Sequence, residues 1–100
     1  MKDIESWQED VLDRDLVLVE FWAAWSSSSK LLAPVIEELE RDVAKLDVVK
    51  VQAETNANLV EDLAINTVPT MMLYKNGEYV WTLTGAKPKV VLVEKIAPYV

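Results

Sequence analysis

The chain has 100 residues, 51% of them hydrophobic and 27% charged, and its 17 acidic against 10 basic side chains leave a net charge of −7. That balance fits one globular domain over 1–100 and excludes disorder; two glycines and four prolines exclude collagen-like and low-complexity sequence, and the acidic surface argues against nucleic acid as a partner. Cysteine and histidine are both absent, which removes thiolate chemistry, disulfides, Cys/His zinc sites and every His-containing triad, so no metal or cofactor is expected.

The charged start, Met1-Lys2-Asp3-Ile4-Glu5, does not read as a signal peptide. No apolar run approaches the roughly 18 residues of a membrane span, so the expectation is a cytoplasmic protein without membrane contact. Ser6 followed by Glu9 reads as a capping box opening a short helix over about 6–13. Leu16-Val17-Leu18-Val19-Glu20-Phe21-Trp22 reads as a strand buried on both faces. The serine run 26–29 follows. Leu31, Leu32, Val35, Ile36, Leu39 and Val43 then form one helical apolar stripe. Glu37 and Arg41 are spaced as an i,i+4 ion pair on its acidic face, and Pro34 is expected to kink it.

Val48 to Ala53 is a second strand, and Leu59, Val60, Leu63 and Ala64 mark a short helix. Thr70 to Tyr74 and Glu78 to Thr84 are strands joined by Lys75-Asn76-Gly77, the strongest short-range hairpin signal. Of Met71 and Met72, one is expected in the core and the other away from it. The last segment is ambiguous. Val90 to Val93 favours a strand, whereas Pro88 and Pro98 suit the start and end of a helix. The order predicts an α/β fold: a mixed sheet of about four strands with helices on both faces.

Phe21-Trp22-Ala23-Ala24-Trp25, four residues, then Lys30 and Ala33-Pro34 resemble the active-site region of the thioredoxin family. Val68-Pro69-Thr70 looks like its cis-proline loop, Lys75-Asn76-Gly77-Glu78 like its hairpin and Gly85-Ala86 like its groove-lining turn. The likeness runs in one register from about residue 6 to the end, with only the family's first edge strand shortened or missing. It implies a thioredoxin fold and makes the last segment a helix. It also implies protein disulfide reduction, with disulfide-containing proteins and a thioredoxin reductase as partners of a monomer.

The same resemblance puts Ser26 and Ser29 where the family has its redox cysteines. Glu20 falls at a buried acid and Lys50 at that acid's lysine partner. Trp25, Val68, Pro69, Gly85 and Ala86 would line the substrate groove. An alcohol is scarcely ionised near neutral pH and forms no disulfide, and a helix dipole contributes too little to change that. Redox inactivity is therefore expected, and whether the chain is an enzyme stays open.

Two readings follow. One is a thioredoxin-type protein whose redox centre was replaced by serine. The other is a naturally cysteine-free module that uses the groove for peptide binding alone. Serines 26–29 also suit plain helix capping, or an anion site at a helix start. Ser27-Ser28-Ser29-Lys30 matches the Ser-x-x-Lys nucleophile signature, but its companion Ser-Asp-Asn and Lys-Thr-Gly elements are absent. Trp22 and Trp81 are expected to pack.

Overall fold

In a computed structural model describing residues 1–100, five strands form one mixed sheet. They are β1 (Lys2–Asp3), β2 (Leu16–Trp22), β3 (Asp47–Gln52), β4 (Thr70–Lys75) and β5 (Glu78–Thr84), in the order β1-β3-β2-β4-β5. β3 runs parallel to β1 and β2, β4 runs antiparallel to β2, and β5 antiparallel to β4. The helices are α1 (Ser27–Asp42), α2 (Ala57–Asp62) and α3 (Lys89–Ile96), with a π-helical turn at Gln8–Leu12 and 3-10 turns at Ala53–Thr55 and Ala97–Tyr99.

The period of β2 explains the layering. Successive side chains of a strand point to opposite faces. Leu16 and Leu18 enter one core with Leu32, Ile36 and Leu39 of α1 and Leu92 and Ile96 of α3. Val17, Val19 and Phe21 enter a second core closed by Trp7 and Val11 on one side and by Leu59, Val60 and Leu63 on the other. Six of the seven β2 residues are buried, as a central strand covered on both faces requires.

Three expectations change. The sheet has a fifth strand, because the edge strand survives as two residues that pair Lys2 with Val49 and Asp3 with Lys50. Both methionines are buried, Met71 in the first core and Met72 in the second, since neither sheet face is open to water. Arg41 sits 3.8 Å from Asp42 and makes no ion pair with Glu37.

The predicted capping box is rearranged. The Glu9 amide does donate to Ser6 Oγ, at 3.2 Å. The return half is taken by Asp10 rather than Glu9: Asp10 Oδ2 accepts from the Glu5 and Ser6 amides at 2.9 and 3.0 Å. The 76–77 turn follows its sequence signal, with positive φ at both Asn76 and Gly77. A Cβ at Gly77 would lie 2.7 Å from the Leu12 carbonyl oxygen, so only glycine fits beneath the π-helical turn.

Candidate functional site

Strand direction gathers the candidate residues at one end of the sheet. β2 ends at Trp22 beside Gln52, the end of β3. Phe21 pairs with Thr70, the first residue of β4, and Thr70 pairs with Thr84, the last of β5. The turn carrying Trp25 and Ser26, the loop carrying Val68 and Pro69, and Gly85-Ala86 therefore all leave the sheet at this end.

The serines divide by burial. Ser26 and Ser29 are buried, while Ser27 and Ser28 are exposed. Ser26 is the N-cap of α1, and its Oγ accepts from the Ser29 amide at 3.1 Å. This satisfies one of the amides a helix start leaves without a partner. Ser29 Oγ in turn accepts from the Ala23 amide at 3.3 Å. Both hydroxyls thus hold the β2–α1 turn in place. Ser27 and Lys30 stand exposed on the first turn of α1, with no companion groups for nucleophilic chemistry.

Behind Ser29 lies the buried acid. Glu20 is 1% exposed and shares the face of Leu16 and Leu18. Its Oε1 has no hydrogen-bond partner, and neither does the indole nitrogen of Trp22, two residues on. Burial pushes the Glu20 carboxyl up from 4.5 to about 7, and the Lys50 charge partly offsets this. Lys50 is the cross-strand partner of Glu20, yet its ammonium sits 4.6 Å from the centroid of the Trp22 ring and makes no salt bridge with Glu20. A cavity of about 230 Å³, lined by Glu20, Trp22, Ser29, Lys30, Lys50 and three alanines, brings these groups together.

Of the residues expected to line a groove, Pro69 is buried, Val68 and Gly85 are half-buried, and Trp25 and Ala86 are exposed. The Val68–Pro69 peptide bond is cis. The Pro69 carbonyl accepts from the Gly85 amide at 2.8 Å, which ties the turn after β5 to the proline loop. Gly85 has φ +82°, a conformation suited to glycine, with open space where a Cβ would stand. Trp25 is 73% exposed, so packing does little to hold it.

Sequence reasoning missed Glu54. It lies in the 3-10 turn after β3, and its carboxylate accepts from the Ala24 amide, at 3.1 Å through Oε2 and 3.4 Å through Oε1. No local pattern marks it, because the contact spans 30 residues and depends on β2 and β3 ending together. Asp10 was also missed, although an acid four residues after Ser6 was a usable signal.

A mixed five-stranded sheet with helices on both faces, a capped helix at a strand end and a cis-proline loop beside it define a thioredoxin fold. The Thioredoxin family profile matches residues 1–98, and the chain belongs to that family. It is 38% identical over 96 residues to a thioredoxin of Synechocystis, covering 94% of this chain and 90% of that one. With a thioredoxin of Rickettsia bellii it shares 42% over 94 residues, covering 92% and 90%. The crystal structure of Malassezia sympodialis thioredoxin (Mala s 13) superposes with a TM-score of 0.85 at 26% identity, over 98% of this chain and 89% of the other. No helix is long and apolar enough to cross a membrane.

Proposed function

We propose that this chain is a redox-silent thioredoxin: a family scaffold that does not exchange disulfides. The family's usual activity needs a thiolate that attacks a disulfide and a second thiol that resolves the mixed disulfide. Here Ser26 and Ser29 stand at those positions and the chain has no cysteine. Neither alcohol can form the mixed disulfide or store two electrons as an S–S bond. The single observation carrying this reading is that positions 26 and 29 hold alcohols in a chain without cysteine, where they serve as acceptors for the Ser29 and Ala23 amides.

A second, compatible reading is non-covalent peptide binding. It is favoured by an exposed Trp25 at the same end of the sheet as a proline loop tied to Gly85. Val68, Pro69, Gly85 and Ala86 would present backbone to an extended segment of a disulfide-bearing protein, in the manner of strand addition. Affinity is expected to be weak, since covalent capture is absent. This reading keeps a monomeric cytoplasmic protein of one domain over 1–100. Glu20 and Lys50 are left without a thiol to serve.

Insulin reduction with dithiothreitol as electron donor tests the first reading. The chain is expected to match the protein-free blank, and turnover above it overturns redox silence.

A further inference from the structure

Two consecutive amides of the turn that carries Trp25 are held by side chains from different elements. Ala23 donates to Ser29 Oγ from α1, and Ala24 donates to the Glu54 carboxylate from the turn after β3. Trp25 itself is 73% exposed and has few packing contacts to fix it. Its orientation must then come from the backbone that precedes it. The Glu54 turn is itself anchored, because the Asn56 side-chain amide donates to the Gln52 carbonyl at 2.9 Å. A charged acceptor strengthens a backbone hydrogen bond relative to a neutral one.

We infer that Glu54 is a positioning residue for the Trp25 wall of the groove, setting how that wall meets an extended peptide. The inference rests on the peptide-binding reading above and names a residue that reading did not include. Glu54 acts through the Ala24 amide and need not touch the peptide. Its side chain is exposed, so its removal should leave global stability nearly unchanged while loosening one wall of the groove.

The test compares Glu54→Ala with Glu54→Gln. The glutamine keeps an acceptor oxygen and gives up the charge. In Glu54→Ala, exchange of the Ala24 amide hydrogen should accelerate about tenfold, and Glu54→Gln should restore most of the protection. With 5-fluorotryptophan incorporated, the Trp25 fluorine resonance, assigned by Trp25→Phe, should shift in Glu54→Ala and return in Glu54→Gln. Unchanged Ala24 exchange and an unmoved Trp25 resonance in Glu54→Ala overturn the proposal.

A second arm uses Ser26→Cys/Ser29→Cys as background and insulin as the probe. There Glu54→Ala should raise KM about threefold or more with kcat held, the signature of lost uniform binding. If this background reduces insulin and KM does not move, Glu54 does not set the groove. If the background reduces no insulin, the groove reading fails, and with it the assignment of Glu54 to a peptide-binding wall, whatever the exchange data show of the tether.

Discussion

The protein buries two carboxylates in opposite circumstances. Asp10 is 4% exposed and anchored through one oxygen: its Oδ2 accepts from two backbone amides and lies 3.4 Å from the Lys2 ammonium. Those amides, with Lys2 in support, hold its carboxyl below the usual 3.8. Glu20 is 1% exposed and has one oxygen without any partner, and desolvation drives its carboxyl up to about 7. Equal burial thus gives opposite consequences. Partners decide whether a buried acid holds a fold together or strains it. Asp10 lies where the chain needs a structural clamp. Glu20 lies beside Ser29, in the cavity behind the start of α1.

The largest expected effect is at the occupied acid. Asp10→Ala leaves two backbone donors unpaired beneath the N-terminal segment, which costs about 2–3 kcal/mol and lowers Tm on the order of 10 °C. Asp10→Asn keeps one acceptor oxygen and should lose less. Calorimetry showing no loss in Asp10→Ala would break the contrast.

Glu20→Leu should act in the other direction. At pH 8 it is expected to raise Tm by several degrees, because a poorly compensated buried charge gives way to an apolar side chain on the sheet face of Leu16 and Leu18. A fall in Tm would mean that Glu20 is well paired.

The pH profile sharpens the same comparison. The folded carboxyl of Glu20 binds its proton more tightly than the unfolded one. Its favourable contribution is therefore complete below 4.5 and is lost as pH rises through about 7. The stability gap between Glu20→Leu and the parent should widen by about 3 kcal/mol from below 4.5 to above 7 and then level off. Asp10 has the opposite sign. Its folded carboxyl lies below 3.8, so its contribution is present above that value and is lost only as pH falls beneath it. Denaturant titrations of the parent, Glu20→Leu and Asp10→Asn from pH 3 to 8 separate the two, and parallel curves would refute the difference.

The smallest effects are at the lysines. Lys50→Met removes the charge that partly offsets desolvation, so the carbon-13 carboxyl titration of Glu20 should move further up. Lys2→Met removes an ion pair from a side chain 42% exposed, and Tm should change by no more than about a degree or two.

Most of the fold was legible because its signals are local or repeated. The period of Leu32, Ile36 and Leu39, the apolar run of β2 and the Asn76-Gly77 turn each state one element. The linked motifs around Trp25, Pro69 and Gly85 state how those elements assemble. β1 was harder to read. Lys2 and Asp3 carry no strand pattern, and their conformation comes from pairing with β3 and from the Asp10 clamp behind them. Met71 and Met72 are both buried because alternation says which face a side chain takes, not whether another layer covers it. Glu54 escaped for the same kind of reason: its partner Ala24 is distant in sequence and near only once β2 and β3 are aligned.

The most direct measurement is insulin reduction by the parent and by Ser26→Cys/Ser29→Cys, side by side under dithiothreitol. With the scaffold preserved, the double variant should turn over insulin while the parent stays at blank. A parent that turns over, or a folded double variant that does not, would contradict the account.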